Sequence, residues 1–315
     1  MTEHFRHFNA RELLLSAASY RSHIRSAGQV LLAMGGALST AEIGRSLAQM
    51  IRQRKVHAIS CTGANLEEDF YRLIASQHFV DVPHYRELTP SHEVEFYHRG
   101  LNRITDTCVP EKQAIGRTGD LAAQMWRAID SAGERVFPHQ VFFRLIQDGT
   151  LIFPPENLRN SWLAAAAEFD IPLFVPGWED SSLGNLYAAD VLRGHVRNPT
   201  TIRTGIEYMV TLVDWYRRQS ATGPMGFLQL GGGISGDFSV CAVPVLREEL
   251  GSRGVPLWSY FCQVGDSTTS YGSYSGAPPT EKITWGKIGA HSARFMIESD
   301  ATIVAPLLFA YVLEW

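Results

Sequence analysis

The chain has 315 residues, of which 45% are hydrophobic and 19% are charged, so it can form a packed core and is not mainly disordered. The 28 Lys and Arg residues are outnumbered by 32 Asp and Glu residues, and the formal net charge is −4. This balance argues against a broad nucleic-acid-binding surface.

The sequence also argues against a secreted or membrane protein. The N-terminus lacks the apolar core of a signal peptide. The apolar run Ala301–Leu313 is too short to span a bilayer, so it predicts a buried helix. The cysteines are scattered, without a C-x-x-C pair, and indicate reduced thiols rather than disulfides or a zinc site. They are Cys61, Cys108, Cys241 and Cys262. We expect a cytoplasmic protein with no metal and with neither nucleic acid nor membrane as a partner.

Short apolar runs, each followed by a turn and an amphipathic stretch, predict strands and helices in alternation. The predicted strands are Gln29–Met34, Val56–Cys61, Ile171–Val175, Phe227–Leu230, Val255–Cys262 and Arg294–Glu298. The predicted helices are Ala10–Ser26, Ser39–Arg54, a helix from Leu66, Leu121–Ser131, Leu158–Glu168, Leu183–Leu192, Ile202–Arg218 and Val240–Leu250. Ser39 and Glu42 have the spacing of a capping box at the start of the second helix.

This alternation predicts an α/β fold, in which helices cover both faces of a mostly parallel sheet. The stretch Phe79–Gly116 lacks the pattern, and its length predicts an irregular excursion that serves as a lid or a subunit contact. Because no linker or repeat interrupts the chain, we expect a single domain over residues 1–315, with residues 1–28 as an N-terminal helical segment.

Small residues follow three of the predicted strands, in Gly35-Gly36, Thr62-Gly63-Ala64 and Gly231–Gly233. Glycine at such a turn lets a ligand phosphate approach the backbone amides, although glycine also simply permits a tight turn. In parallel sheets these turns meet at one edge, where ligands bind. Three of them together favour a nucleotide site, although the G-x-G-x-x-G fingerprint is absent.

The segment Ser270–Ile288 ends in Glu281, Trp285 and Lys287. Lys287 is either a surface cation or a desolvated amine suited to imine formation. Trp285 is either a core residue or a wall that holds an aliphatic cation against its ring.

At this point the sequence resembles a known family, the deoxyhypusine synthases and their homospermidine synthase relatives. The matching segments are Glu281–Ile288, Thr62–Phe70, Leu101–Ile104 with Val109-Pro110, Ile171–Gly184, Leu230–Gly233 and Ser299–Leu308. They occur in the family's order and spacing, and the resemblance extends from about Gln29 to the C-terminus.

The resemblance implies a Rossmann-like, doubly wound fold that forms a homotetramer and binds NAD at sites between subunits. It implies that Lys287 forms the imine, and that Glu281 and Trp285 complete the catalytic set as walls of the polyamine pocket. The implied NAD contacts are Gly35, Gly36, Thr62, Glu68, Asp180, Gly231, Gly232, Gly233, Ser273, Ser275 and Asp300.

The substrate pocket departs from the family's pattern. Tyr274 and Asn185 stand where the family has acidic residues, and Tyr271 stands in place of a further aspartate. Asp237 stands in place of a histidine and restores one carboxylate from another wall. A desolvated substrate ammonium needs a counter-charge, so these changes predict an altered substrate preference. The expected substrate-binding residues are Asn185, Asp237, Tyr274, Glu281 and Trp285.

The function implied by the resemblance is NAD-dependent transfer of an aminobutyl group from a polyamine, such as spermidine or putrescine, through a lysine imine to an amine. We expect the homospermidine synthase type, with small amines as substrates. The alternatives are a deoxyhypusine synthase that modifies a protein lysine, or a non-catalytic homologue that binds NAD or polyamines.

Overall fold

The computed structural model describes residues 3–270, 272 and 276–315. The predicted NAD contacts Ser273 and Ser275, and the pocket residues Tyr271 and Tyr274, lie outside the described residues. The strands are β1 (Gln29–Met34), β2 (Ala58–Cys61), β3 (Val80–Asp81), β4 (Leu101–Ile104), β5 (Thr107–Pro110), β6 (Leu173–Phe174), β7 (Met225–Leu230), β8 (Trp258–Gly265) and β9 (Ile288–Glu298). The helices are α1 (Phe8–Arg25), α2 (Gly44–Arg52), α3 (Gly63–Ala75), α4 (Pro90–His98), α5 (Arg117–Ser131), α6 (Pro138–Gln147), α7 (Pro155–Asn160), α8 (Trp162–Glu168), α9 (Ser182–Leu192), α10 (Gly205–Ser220), α11 (Ile234–Val240), α12 (Ala242–Pro244) and α13 (Ala301–Leu313).

The main sheet is parallel and has the strand order β6-β2-β1-β7-β8-β9. The chain passes from β1 outward to β2 and β6, and later from β7 outward through β8 to β9. The winding direction therefore reverses between β1 and β7, which is the doubly wound arrangement that the sequence predicts. Met34 and Leu230 are paired in register, so these two central strands end side by side. Ligands bind at such reversal points, beyond the carboxyl ends of the strands.

Both faces of the sheet are covered, as the continuous apolar runs in its strands require. On one face α1 packs against β8, where the Tyr260 hydroxyl donates to the Ser16 carbonyl oxygen over 3.3 Å. On the other face the Tyr216 ring of α10 meets the Trp258 ring, with 4.5 Å between the centroids. Phe227 stacks on Phe261 between the neighbouring strands β7 and β8, at 5.5 Å.

The predicted capping box is wrong. Helix α2 begins at Gly44, and Glu42 adopts a left-handed conformation with φ of 58° in the preceding turn. The Ser39 hydroxyl instead contacts the Asn65 side chain and accepts from the Trp162 indole nitrogen over 2.9 Å. Long-range partners therefore replace the local cap.

The prediction that the stretch Phe79–Gly116 is irregular is wrong. It forms the antiparallel sheet β3-β5-β4, with α4 beside it and a π-helical segment, Glu111–Gly116, after it. Short strands of two to four residues leave too little alternation for a pattern to be recognised.

The remaining differences concern element boundaries. The predicted helix Leu158–Glu168 is two helices, α7 and α8, because Ser161 has extended backbone and caps α8 by accepting from the Ala164 amide. Helix α6 was not predicted from the sequence, and the predicted helix at the C-terminal run is confirmed as α13. In the part of the chain that the structure describes, no helix has the length and apolarity needed to cross a membrane.

Candidate functional site

Two glycine turns meet where the winding of the sheet reverses. Gly35 follows β1 and Gly231 follows β7, and the Gly231 amide donates to the Val264 carbonyl oxygen over 2.8 Å. A Cβ at Gly35 would lie 2.3 Å from the carbonyl oxygen of Gly232, so only glycine permits this approach of the two backbones. Gly233 has φ of 94° and leaves open space where a side chain would stand. The turns thus form a side-chain-free cradle.

Thr62 and Asn65 hold the first turn in place from the start of α3. The Thr62 hydroxyl donates to the Gly36 carbonyl oxygen over 3.0 Å and accepts from the Asn65 amide. The Asn65 side-chain amide donates to the carbonyl oxygens of both Gly35 and Gly36, at 3.1 and 2.8 Å. Asn65 is fully buried and was not among the predicted site residues. Its position in the segment Thr62–Phe70, directly after a predicted strand, was the sequence feature that could have identified it.

Glu68 supports the loop that follows this turn. It is 6% exposed, and its carboxylate accepts from the Thr40 backbone amide over 3.2 Å. Burial raises the pKa of Glu68 to about 7, although the hydrogen bonds from Thr40 oppose the shift. The structure therefore places Glu68 behind the loop that follows Gly36, in a position to set the shape of that loop.

The two acidic neighbours of Glu68 are also engaged by backbone amides. Glu67 accepts from the amides of Ser182 and Leu183 in the first turn of α9. Asp69 accepts from the Leu163 amide over 3.1 Å and from the Ser161 hydroxyl. The Glu-Glu-Asp sequence thus joins α3 to three separate parts of the chain.

Asp180 lies on the neighbouring turn between β6 and α9, Asn185 lies in the first turn of α9, and both are exposed. This turn reaches the end of β7, because a Cβ at Gly177 would lie 3.2 Å from the Ile234 side chain of α11. The structure therefore brings the predicted NAD contact Asp180 to the same edge of the sheet as the glycine turns.

Asp300 lies at the corresponding end of β9. It is exposed and caps α13, since its carboxylate accepts from the amide and the hydroxyl of Thr302 at 2.7 and 2.8 Å. The predicted NAD contacts among the described residues therefore all follow strands at one edge of the parallel sheet. They are Gly35, Gly36, Thr62, Glu68, Asp180, Gly231, Gly232, Gly233 and Asp300.

Lys287 lies towards the opposite end of the sheet. Its carbonyl oxygen accepts from the Trp258 amide at the start of β8 over 3.2 Å. Gly265 at the end of β8 pairs with Glu298, two residues before Asp300. The seven residue steps along β8 correspond to about 23 Å. The backbone of Lys287 and the glycine turns of the same chain are thus separated by the length of the strand.

The loop before β9 presents the predicted catalytic residues together. Glu281 is exposed on a short 3₁₀-helix, Pro279–Ile283. The Lys287 Nζ lies 6.0 Å from the centroid of the Trp285 ring, and that ring is 66% exposed. Trp285 is therefore not a core residue, and it can cover a ligand beside Lys287.

A second lysine lies in this region, and sequence reasoning did not single it out. Lys282 is only 8% exposed, although its neighbour Glu281 faces solvent. Its Nζ donates to the Gln263 side-chain oxygen over 3.2 Å and lies 5.0 Å from the centroid of the Phe261 ring. Burial lowers the pKa of Lys282, as does the positive charge of Lys287, while the carboxylates of Asp237 and Glu281 raise it. Its position directly after Glu281, in the segment Glu281–Ile288 that carries the resemblance, was the sequence feature that could have identified it.

Asp237 lies in the first turn of α11, and its negative charge raises the pKa of Lys282. The preceding residue, Gly236, packs on the Gln229 side chain, because a Cβ there would lie 2.7 Å from the Gln229 Cδ. Gln229 is paired in register with Gln263, which is the hydrogen-bond partner of Lys282. Asp237 thus lies beside the Gly231–Gly233 turn, since its amide donates to the Gly233 carbonyl oxygen over 3.2 Å.

A separate cleft of about 270 Å³ lies between α2, α3 and α7. Arg45, Arg72, Asp69 and Glu156 are among the residues that line it, and it includes none of the predicted catalytic residues. Arg72 pairs with Glu42 over 3.1 Å, so the basic groups there are matched by acidic ones.

The residues present fit a dinucleotide such as NAD. Open space lies beside Gly36 and Gly233, where a diphosphate can approach the backbone without meeting a side chain. Asp180 and Asp300 are exposed carboxylates at the same edge of the sheet, and carboxylates are groups that can accept hydrogen bonds from ribose hydroxyls.

Comparison with known proteins gives one consistent result. The family model described as deoxyhypusine synthase matches residues 2–312. A probable deoxyhypusine synthase 2 of Methanosarcina mazei is 24% identical over 96% of this chain and 81% of its own length. Another from Archaeoglobus fulgidus is 28% identical over 89% of this chain and 85% of its own.

Solved structures share the fold. A protein from Entamoeba histolytica, crystallised as a candidate deoxyhypusine synthase, superposes with a TM-score of 0.53, 12% identity, and coverage of 91% of this chain and 76% of its own. AgrE, in its ternary complex with ornithine and NAD⁺, superposes with a TM-score of 0.53 and 13% identity over 96% of this chain and 33% of its own.

Proposed function

Because the chain belongs to the deoxyhypusine synthase family, we propose that it transfers an aminobutyl group from a polyamine to an amine acceptor through an imine on Lys287, with NAD as cofactor. The observation that carries the proposal is the arrangement of the loop before β9. It places Lys287 beside the exposed Trp285 ring, and the exposed Glu281 lies on the same loop.

Bound NAD would accept hydride from the carbon next to the donor's amine and later return that hydride to the product. The Nζ of Lys287 adds to the donor imine and the first amine leaves, so that the four-carbon unit is held on the lysine. The acceptor amine then adds to this enzyme-bound imine and releases Lys287. The transfer involves no net oxidation.

The other residues bind, orient and exclude water. Glu281 and Asp237 pair with substrate ammonium groups and fix the donor's direction. Trp285 lies over the aliphatic chain and shields the imine from hydrolysis. Gly35, Gly232 and Gly233 form the cradle for the cofactor's diphosphate, while Glu68 maintains the shape of the adjoining loop.

We propose further that two chains build each site, within a homotetramer. The separation of about 23 Å along β8 keeps the Lys287 backbone away from the cofactor turns of its own chain. Exposed apolar side chains occur at both places, with Ile234 42% and Ile303 59% exposed near the turns and Trp285 66% exposed near the lysine. Such surfaces support contact with a second copy.

We favour a small-amine acceptor over a protein lysine. Asn185 and Asp237 alter the charges that the family pattern places around the substrate, and this supports a changed pocket. Formation of a lysine-modified protein instead of a small polyamine would favour deoxyhypusine synthase activity. Binding of NAD without turnover of any amine would favour the non-catalytic alternative.

The test combines product analysis with chemical trapping. The enzyme is incubated with NAD and, in turn, putrescine, spermidine, agmatine and diaminopropane, and the products are identified by mass spectrometry. In parallel, borohydride is added during turnover and the labelled residue is mapped. We expect a saturated aminobutyl adduct on Lys287 that is absent from Lys287→Met and present in Lys112→Met, a matched change at an exposed lysine. Full turnover by Lys287→Met would contradict the proposal.

A further inference from the structure

We propose that Arg72 is a positioning residue for cofactor binding, which fixes the loop between Gly36 and α2 and joins that loop to the small antiparallel sheet. This inference rests on the NAD site of the proposed function and adds a residue to it. Arg72 was not among the predicted site residues. Its side chain reaches the loop from α3, and it acts on the cofactor through the loop rather than by contact.

One face of α3 carries three polar side chains that hold this loop. Asn65, Glu68 and Arg72 have the spacing i, i+3 and i+7, which places them in a row along the helix. Asn65 accepts from the Ser39 amide over 2.9 Å. Glu68 accepts from the Thr40 amide over 3.2 Å. Arg72 completes the row, since its Nη2 donates to the Thr40 carbonyl oxygen over 3.2 Å. Both backbone polar groups of Thr40 are therefore held by α3.

The same guanidinium holds Glu42, whose backbone has an unfavourable conformation. Glu42 has φ of 58°, in the left-handed region that residues other than glycine rarely adopt. Its carboxylate pairs with the Nη1 of Arg72 over 3.1 Å and with the Nε of Arg45. Such a conformation persists only where the surrounding structure fixes it. Arg72 therefore holds the loop at two points, the Thr40 carbonyl oxygen and the Glu42 carboxylate.

The guanidinium is itself fixed by a residue of the small sheet's border. Its Cζ lies 3.8 Å from the centroid of the Phe79 ring, and Phe79 directly precedes β3. The Arg72 side chain is 18% exposed, so it is enclosed between this ring and the loop. A planar guanidinium can stack on a ring while its edges donate to two acceptors, a geometry that the ammonium of lysine does not reproduce. One side chain thus joins the loop after Gly36 to the sheet β3-β5-β4.

The position of this loop matters to the cofactor because Gly36 begins it and borders the proposed cradle. The carbonyl oxygen of Gly36 is held by Thr62 and Asn65, so the near end of the loop is fixed without Arg72. Loss of Arg72 should leave the glycine turns in place and free the far end of the loop. Only a fraction of the resulting conformations would suit NAD, and its apparent affinity falls by that fraction.

The first experiment measures Kd for NAD by calorimetry in wild type, Arg72→Met, Arg72→Lys and the control Arg45→Met. Arg45 pairs with the same carboxylate, but its side chain is 59% exposed and donates to no backbone oxygen among the described residues. We expect Kd to rise about tenfold or more in Arg72→Met, about threefold or more in Arg72→Lys, and less than about twofold in Arg45→Met. During turnover, Arg72→Met should raise KM for NAD and leave kcat at saturating NAD unchanged, a split that a general loss of stability would not produce.

The second experiment measures hydrogen exchange without NAD. The amides of residues 37–43 should exchange about tenfold faster or more in Arg72→Met, and those of β3 should also exchange faster because Phe79 loses its partner. Arg45→Met should match wild type. Thermal unfolding of each variant shows whether it is folded, and Arg72→Lys keeps both tests valid if Arg72→Met is not.

The inference can fail separately from the proposed function. If wild type binds NAD and a folded Arg72 variant binds it equally tightly, Arg72 does not position the cofactor loop and the proposed transfer stands. If wild type binds no NAD, the proposed function itself fails. Hydrogen exchange then decides whether Arg72 fixes the loop: faster exchange of residues 37–43 in the Arg72 variants supports the inference, and exchange equal to wild type overturns it.

Discussion

Buried acidic side chains on α3 connect the loop after the first glycine turn to the rest of the fold. Glu68 accepts from the Thr40 amide, and burial raises its pKa to about 7 from an ordinary value of 4.5. The folded protein therefore binds a proton that the unfolded chain has already released between these two pH values. It follows that the contribution of Glu68 to the free energy of unfolding falls as the pH rises from about 4.5 to about 7.

This pKa shift predicts that removing the charge of Glu68 raises the free energy of unfolding, and that the increase is larger at high pH. Glu68→Gln keeps an oxygen that accepts from Thr40, and at pH 8 it should raise the free energy of unfolding by roughly 2–3 kcal/mol relative to its effect at pH 4. Chemical denaturation across this pH range measures the difference. Glu87→Gln, at an exposed position, should follow wild type throughout. Parallel curves for Glu68→Gln and wild type would show that Glu68 does not titrate in this range.

At the residue scale, sequence reasoning found the groups that belong to contiguous motifs. Lys287, Trp285 and Glu281 share one loop, and Thr62 and Glu68 share one helix start. It missed the importance of Asn65 and Lys282, because their roles depend on partners 30 and 19 residues away in the chain. Such pairings are created only when strands and helices pack.

At the element scale, the glycine turns show why the sheet ends where it does. Strands β1 and β7 finish in register, and Gly35 approaches the Gly232 carbonyl oxygen so closely that a Cβ would lie 2.3 Å from it. The obstructing atom belongs to the backbone, which cannot rotate away as a side chain can. Even a methyl group must therefore displace one of the two turns.

Gly35→Ala should consequently destabilise the protein by about 1–3 kcal/mol and weaken NAD binding at least tenfold. Thermal unfolding and calorimetric titration with NAD measure the two effects. Gly205→Ala is the matched control, because no atom lies within 4 Å of its Cβ position at the start of α10. NAD affinity equal to wild type in a folded Gly35→Ala protein would place the cofactor elsewhere.

The order of parallel strands and helices could be predicted because buried parallel strands are continuous apolar runs. Local sequence patterns predicted helix boundaries less well where tertiary contacts compete with local hydrogen bonds. Ser39 and Glu42 have capping-box spacing, yet Asn65 and Trp162 engage Ser39 and the helix starts later, at Gly44. The small sheet β3-β5-β4 was missed because its strands are too short to show a period.

At the scale of the whole molecule, the parallel sheet separates two sets of predicted residues. The glycine turns lie beyond the carboxyl ends of β1 and β7, and the Lys287 backbone lies at the start of β8 and β9. A site that needs both sets is therefore proposed to use the turns of one chain and the lysine loop of another. Association into a homotetramer would then be a condition of activity.

Lys287 and the glycine turns are proposed to form one NAD-dependent transfer site to which two chains contribute. The direct measurement is the transfer activity of Lys287→Met and Gly35→Ala, each alone and co-expressed as mixed oligomers. We expect each alone to be inactive or nearly so, and the mixture to recover up to about a quarter of wild-type activity, since half of randomly formed dimers are mixed and each has one intact site. Mixed oligomers without recovered activity, or full activity in Lys287→Met alone, would contradict the claim.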